Sequence, residues 1–164
     1  MHAAGKLLAR HLEGLAPGRL EWIGLRPAHK SPIIKVKSVQ ALANLGLEGD
    51  HRCAKTPGSA RQVTLINQEH IDLIARLLKR EGVAPELLRR NLVVSGINLM
   101  ALRHQRFAIG SVLFEATAQC HPCVRMEQAL GKGAVAAMLG HGGICAKIIE
   151  GGTLKPGDAV SKCP

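Results

Sequence analysis

Short apolar runs, each soon interrupted by glycine or proline, restrict the fold of this chain more than any other feature. In chain order, the runs that predict strands are RLEWIGLRP, IIKVKSVQAL, RQVTLI, NLVVSGINL, FAIGSVLFEATAQ, GICAKII and a last short one ending in DAV. Gly110 divides the fifth run into two strands. Because strand edges must be paired or covered, this pattern predicts a mainly β protein with a few helices (α+β), closed or nearly closed into a β-barrel.

Helical spacing of leucine and isoleucine occurs in fewer places. The segment HAAGKLLARHLEGL predicts a helix or arm within residues 1–18, ended by Pro17-Gly18. QEHIDLIARLLKREG predicts the clearest helix, with Asn67 as its N-cap. PELLRR and the glycine-interrupted MEQALGKGAVAAML predict two shorter ones. A length of 164 residues with 46% hydrophobic residues suits one domain, which we place at 19–164.

The charge balance predicts an anionic ligand. The chain has 22 Lys and Arg against 12 Asp and Glu, a net charge of +10. These basic residues are dispersed rather than grouped, and the only aromatics for base stacking are Trp22, Phe107 and Phe114. We therefore expect no nucleic-acid partner, and favour a small phosphorylated or anionic molecule held by a few arginines.

Cysteine usage and the absence of targeting signals predict the compartment. The five cysteines form no regular disulfide framework, and nothing near Met1 resembles a signal peptide. No apolar run approaches the ~18 residues that a membrane span needs. We expect a cytoplasmic protein with reduced thiols and no membrane association.

The stretch QCHPCVRM contains the most distinctive chemistry of the chain. Cys120 and Cys123 have the spacing of a redox pair or of half a zinc site, but the stretch follows a run of strands and no second ligand pair accompanies it. A third interpretation is one working thiolate, Cys123, tuned by His121 and Arg125, with Cys120 as a bystander or resolving thiol. Such a thiolate suits a soft metal or a persulfide. Cys145 is expected to be a small buried hydrophobe.

A second candidate site lies in RRNLVVSG. Arg89, Arg90 and Asn91 precede the predicted strand, and Ser95 with Gly96 follows it, so these groups together could bind a phosphate. The alternative is that the two arginines are only the solvated end of a helix.

Two polar loops provide weaker candidates. In GLEGDH, Asp50 or His51 could bind polar atoms of a ligand, and the two glycines could allow a close approach of the backbone. His141, in HGG, is either part of a turn or an imidazole on a pocket wall.

Taken in order, several segments together resemble the MOSC domain, the family named for the C-terminal domain of molybdenum cofactor sulfurases. The resemblance runs from about Leu20 to Val160 and rests on LGLEGDHR, RQVTLINQEHI, RRNLVVSGINL, FAIGSVLFEATAQCHPC and GHGGICAKIIEGGTLKPGDAV. The cysteine of the family's Pro-Cys element corresponds to Cys123, and its Arg-Asn element to Arg90-Asn91.

The resemblance implies a MOSC-type β-barrel that holds the molybdenum cofactor, molybdopterin, or handles sulfur destined for it. It implies Cys123 as the molybdenum ligand of a reductase acting on small N-hydroxylated or similar N–O substrates, with an external electron donor. The alternative is a non-catalytic sulfur carrier that holds a persulfide on Cys123 and is charged by a cysteine desulfurase. The residues expected to bind the cofactor are Asp50, Arg61, Arg89, Arg90, Asn91, Ser95, Arg125 and His141.

Combining both lines of reasoning, we expect one electropositive cavity with the Cys123 sulfur at its mouth. The guanidinium groups of residues 61, 89 and 90 should face that cavity.

Overall fold

A closed seven-stranded barrel forms the centre of the protein, whose computed structural model describes residues 3–164. The barrel strands are β1 (Gly18–Leu25), β5 (Val63–Asn67), β6 (Leu92–Ser95), β7 (Arg106–Ile109), β8 (Val112–Gln119), β9 (Ile144–Glu150) and β11 (Ala159–Lys162). They follow the order β11-β7-β8-β9-β5-β6-β1, and pairing of β1 with β11 closes the ring. β5 and β6 are parallel, whereas the other barrel pairs are antiparallel.

Smaller elements surround the barrel. The strand β2 (Ile34–Val36) adds to the outside of β1, and β3 (Val39–Leu42), β4 (Gly46–Leu47) and β10 (Gly152–Leu154) form a separate sheet. The helices are α1 (Ala3–Ala9), α2 (Gln68–Leu77), α3 (Pro85–Leu88), α4 (Val124–Leu130) and α5 (Ala134–Met138). Short 3-10 turns span His51–Ala54 and Leu99–Leu102.

None of the helices in residues 3–164 has the length and apolar character needed to cross a lipid bilayer.

Alternation along the strands divides the hydrophobic residues into two clusters. Inside the barrel, the rings of Phe107 and Phe114 stack with their centroids 5.2 Å apart among buried aliphatic side chains such as Leu65 and Ile144. Outside it, Ile66 and Val93 contact the apolar faces of α2, α4 and α5. The outer cluster therefore fixes the helices beside β5 and β6.

The closed, mainly β barrel is confirmed, and the structure corrects several local predictions. The first helix ends at Ala9, while the part of its prediction on residues 1 and 2 lies outside the described residues. The predicted strand IIKVKSVQAL is two strands in two sheets. The predicted helix MEQALGKGAVAAML is likewise two helices, because Gly131 and Gly133 have φ values of 93° and 94°, which end a right-handed helix.

Asn67 also differs from its prediction. It holds the N-cap position of α2, but its side chain makes no capping hydrogen bond. Its amide instead donates to the Ile97 carbonyl at 2.6 Å and accepts from the Leu99 N–H at 3.1 Å. Asn67 therefore anchors the loop after β6 to the end of β5.

Candidate functional site

A basic pocket of about 240 Å³ opens on the outer face of the barrel, beside α4. In β5, Val63 and Leu65 belong to the interior cluster, so Thr64 between them points outward into the pocket. Cys145 of β9 is opposite Thr64 in register and shares its face. The described residues that line the pocket are Arg26, His29, His51, Arg52, Lys55, Arg61, Thr64, Arg89, Arg90, Cys120, His121, Cys123, Arg125 and Met126.

The lining is strongly cationic. Six arginines and one lysine supply its positive charge, three histidines accompany them, and no carboxylate is among these described residues. Converging cations focus a positive potential in a small volume, which favours a compact, multiply charged anion. A neighbouring hollow of about 470 Å³ shares Arg89 and Arg125 with the pocket, so a longer ligand can extend along α4.

Asp50 and Asn91 organise one side of the pocket from beneath. The Asp50 carboxylate accepts hydrogen bonds from Arg26 Nε at 3.1 Å and Nη2 at 3.2 Å. The Asn91 amide donates to Asp50 Oδ2 at 2.9 Å, and its oxygen accepts from Arg26 Nη2 at 3.1 Å. Both residues are buried, and neither lines the pocket. They therefore act as positioning residues that fix the guanidinium of Arg26.

The electrostatics of this network follow from its geometry. Burial acts to raise the pKa of Asp50, but hydrogen bonds and charge attraction from Arg26 outweigh it, so the pKa lies below the ordinary carboxyl value. The network places a negative charge behind Arg26, on the side away from the pocket, where it steadies a cation without neutralising the lining.

Arg89 and Arg90 differ although they are adjacent. Arg89 adopts a left-handed conformation with φ 58° at the end of α3, and its Nη1 donates to the Ser31 carbonyl at 2.7 Å. Arg90 is buried and donates to three carbonyls, those of Gly142, Leu88 and Cys120, at 2.8, 3.0 and 3.3 Å. Arg90 thus ties three chain segments together, whereas Arg89 retains donors for a ligand.

The sulfur atoms of the site have contrasting surroundings. Cys123 is exposed and borders both the basic pocket and an adjacent, more apolar hollow of about 370 Å³. Cys120 is buried, and its Sγ accepts a hydrogen bond from Arg61 Nη2 at 3.1 Å. Cys145, on the facing strand β9, is a neighbour of Cys120 on the same face. The expectation that Cys120 is a bystander or resolving thiol stays a prediction, and the structure adds that Cys120 is the sulfur held against a guanidinium.

The thiols of Cys120 and Cys145 differ in pKa. The hydrogen bond with Cys145, together with Arg90 and Arg61, outweighs burial and lowers the pKa of Cys120. The same hydrogen bond and burial raise the pKa of Cys145. Of the two thiols, Cys120 therefore ionises more readily, and Cys145 keeps its proton.

Two imidazoles complete the pocket wall. The rings of His29 and His51 meet edge to face with centroids 6.1 Å apart. Desolvation, followed by the charge of Arg125, lowers the pKa of His29, and desolvation, followed by Arg26, lowers that of His51. Both imidazoles are therefore neutral at pH 7, and an anion in the pocket would favour their protonation.

Two residues predicted to bind the cofactor lie elsewhere. Ser95 is at the far end of β6 from Asn91, four residues or about 13 Å along the strand, and its hydroxyl donates to Glu21 at 2.6 Å. His141 contacts the ring of His70 with centroids 5.2 Å apart and does not line the pocket. The phosphate site predicted from both ends of RRNLVVSG is therefore not assembled, because a strand separates its two halves.

The structure adds residues that sequence reasoning missed. Arg26, Arg52 and Lys55 line the pocket, although none of them was predicted as a site residue. The one available signal was that Arg52 and Lys55 follow the glycine-rich loop containing Asp50. By contrast, Arg61, Arg89, Arg90, Arg125 and Cys123 were predicted, and the structure brings all five to this pocket.

Other sites lack this concentration of charge and sulfur. A larger cavity of about 680 Å³ has Glu115 among its lining residues beside basic ones, and its sulfur is Cys163. Within residues 3–164, no group of three or more His, Cys, Asp or Glu side chains is arranged to hold a metal ion. Any metal bound at the basic pocket would therefore need ligands from outside the protein.

Comparison with known proteins gives both a family and a fold. The family model described as MOSC domain matches residues 48–161. The crystal structure of the YUAD protein from Bacillus subtilis superposes with a TM-score of 0.75 at 18% identity, covering 88% of this chain and 94% of that one. No curated protein matches the chain.

Two YiiM crystal structures have the same fold. The Escherichia coli protein superposes with a TM-score of 0.68 at 20% identity, covering 89% of this chain and 70% of that one. The Geobacillus stearothermophilus protein gives 0.69 at 14% identity, covering 90% and 76%. At these identities the likeness concerns the fold of the barrel and its surrounding elements.

Proposed function

The chain belongs to the MOSC domain family, and from this premise we propose that its basic pocket binds the molybdenum cofactor for reduction of small N-hydroxylated or other N–O substrates. The observation that carries the proposal is the meeting of six arginines and two cysteine sulfurs in one pocket. A phosphate-bearing ligand with a soft metal needs both kinds of group.

The residues present fit such a group. Arg89 and Arg125 border both the basic pocket and the neighbouring hollow, so they suit a phosphate at the junction. The exposed thiol of Cys123 is available as a soft ligand. In this proposal the organic part of the cofactor supplies the remaining metal ligands, which is consistent with described residues that form no group of three or more His, Cys, Asp or Glu around a metal.

Each part of the pocket has a distinct task in this proposal. When bound, the cofactor supplies two-electron chemistry, with electrons from an external donor. The Asp50 and Asn91 network keeps Arg26 extended toward the ligand. Arg90, through its three carbonyl contacts, holds the backbone around Cys120 and Gly142 so that the pocket keeps its shape. The neutral histidines can donate or accept a proton beside the substrate.

Metal and pterin analysis tests the proposal. The protein and its Cys123→Ser and Cys163→Ser variants are to be purified from a host that makes the cofactor, and molybdenum and pterin are measured per chain. We expect both in the wild type and in Cys163→Ser, and molybdenum to be lost in Cys123→Ser. Unchanged molybdenum in Cys123→Ser, or none in any form, would contradict the proposal.

A sulfur-carrier function is the second candidate. It is favoured by the exposure of Cys123 at the edge of the pocket, where a donor protein can reach it. In this case Cys123 accepts a sulfur atom from a cysteine desulfurase and holds it as a persulfide. Mass spectrometry after incubation with a desulfurase and cysteine should detect that sulfur, and its absence from Cys123 would count against the function.

A further inference from the structure

Cys120 has surroundings that neither proposed role of Cys123 uses. Its side chain is 2% exposed, yet the residue borders the basic pocket. Arg61 Nη2 donates a hydrogen bond to its sulfur at 3.1 Å, and the buried residue Cys145, 3% exposed, is a neighbour on the same face. A buried sulfur with a guanidinium as donor is arranged to carry negative charge.

A disulfide between these two cysteines is the simplest alternative, and both thiols are free in the structure. Ala118 is opposite Cys145, and the Cys120 N–H donates to the Gly143 carbonyl at 2.8 Å. Cys120 and Cys145 are therefore diagonal neighbours on one face, and the typical Cα spacing of such neighbours, about 7–8 Å, exceeds the usual disulfide span. The register therefore disfavours a covalent bond between the two sulfurs.

The pocket and the sulfur together specify a class of substrate. The arginines select a small dianion, and a thiolate reacts readily with sulfane sulfur. We propose that Cys120 accepts a sulfur atom from an anionic sulfane-sulfur donor of the thiosulfate type bound among these arginines. This activity uses the anion-binding character of the pocket but requires neither molybdenum nor a sulfur on Cys123.

The step is balanced without any further oxidant or reductant. An electron pair of the Cys120 thiolate forms a bond to the outer sulfur of thiosulfate, and the sulfur–sulfur bond of thiosulfate breaks. Sulfite leaves with that electron pair, so one anion and one dianion give a persulfide anion and sulfite dianion. Arg61 stabilises the charge near Cys120 throughout. Cyanide can then take the outer sulfur, releasing thiocyanate and restoring the thiolate.

Sulfur transfer can be measured on cofactor-free protein. Incubation with thiosulfate should add the mass of one sulfur atom, about 32 Da, and peptide mapping should place it on Cys120. With cyanide present, thiocyanate should form continuously. Cys120→Ser should reduce thiocyanate formation to the rate without protein, whereas the matched control Cys163→Ser should keep the wild-type rate.

Anion selectivity gives a second measurement. Sulfate should inhibit the reaction more strongly than chloride at equal ionic strength, since a bound dianion competes for the arginines. Sulfur found only on Cys123, or on no cysteine, would overturn the proposal. The wild-type mapping alone decides this, so the test holds even where Cys120→Ser fails to fold. A protein that binds no molybdenum could still transfer sulfur to Cys120 in this assay, so failure of the cofactor proposal can be told apart from failure of this one.

Discussion

Removing the carboxylate of Asp50 should cost a large part of the stability of this fold. Asp50→Ala removes the carboxylate that pairs with Arg26, whose side chain is 11% exposed, so Arg26 Nε loses its acceptor while Nη2 keeps the Asn91 oxygen. Breaking a buried ion pair in this way costs about 3–5 kcal/mol. With a urea dependence of about 2 kcal/mol per molar, the unfolding midpoint should fall by about 2 M.

Asp50→Asn tests the carboxylate charge separately from the side-chain volume in the same urea-unfolding assay. It keeps the volume but presents an amide to donors, so we expect a loss of about 2–3 kcal/mol, between wild type and alanine. Asp72→Ala, an exposed carboxylate on α2, is the matched control and should stay within about 0.5 kcal/mol of wild type. An Asp50→Ala midpoint equal to that of the control would refute the reasoning.

The stability lost on removing the Asp50 charge depends on pH with a definite sign. Because the folded pKa of Asp50 lies below its unfolded value of 3.8, the charge contributes its stability fully above that value. The contribution is lost as the pH falls through the folded pKa. The difference between wild type and Asp50→Asn should therefore be constant from pH 6 to 8 and shrink below about pH 4.

Three further outcomes are expected. Gly143→Ala should destabilise the fold by more than about 1 kcal/mol in urea unfolding, because φ at Gly143 is 89° and a Cβ there would meet a backbone carbonyl of β5. Gly82 has open space around it, so Gly82→Ala should not destabilise the fold, and equal unfolding midpoints of the two variants would refute this. Arg90→Lys should cost about 1–3 kcal/mol by unmaking carbonyl contacts, and an unchanged midpoint would contradict that role. Sulfate, which stays dianionic, should bind more tightly in calorimetry as the pH falls below about 6.5, because His29 and His51 have lowered pKa values and gain charge only there. A His29→Gln/His51→Gln double variant should flatten this trend, and a pH profile unchanged by that substitution would count against the role of the two histidines.

The barrel was predictable because its signal is local. Apolar runs, alternation and glycine breaks mark the strands, and the need to pair strand edges leads from them to closure. Boundaries were less predictable where tertiary contacts intervene. Asn67, for example, is a favourable cap by composition, but the loop after β6 offers its side chain stronger partners.

The pocket was predictable only in part, because its residues meet through topology. Arg61, Arg89 and Cys123 could be singled out in the sequence, yet Arg26 lies at the end of β1 and enters the pocket because β1 is antiparallel to β6. Six arginines and one lysine that are dispersed along the sequence meet in this pocket. Ser95 is the opposite case: it is close to Asn91 in sequence but lies at the other end of β6, away from the pocket.

The partnership of Cys120 with Cys145 had no signal in the sequence. The two residues are 25 positions apart, and Cys145 lies in an apolar strand where burial alone explains it. A bulge in β8 between Ala116 and Ala118 shifts the register by one residue just before Cys120. A register shift of this kind cannot be deduced from the alternation of apolar residues. The sequence instead drew attention to Cys120 and Cys123 through their C-x-x-C spacing.

The barrel interior is filled with hydrocarbon, whereas the pocket on its outer wall is lined mainly by residues that precede or follow the strands. Thr64 of β5 is the one lining residue, among those described, that lies on a barrel strand. Scaffold and ligand contacts therefore belong to different segments of the chain, and an engineer could recast the ligand preference of this protein through Arg52, Lys55 and Arg125 while the strands keep their sequence.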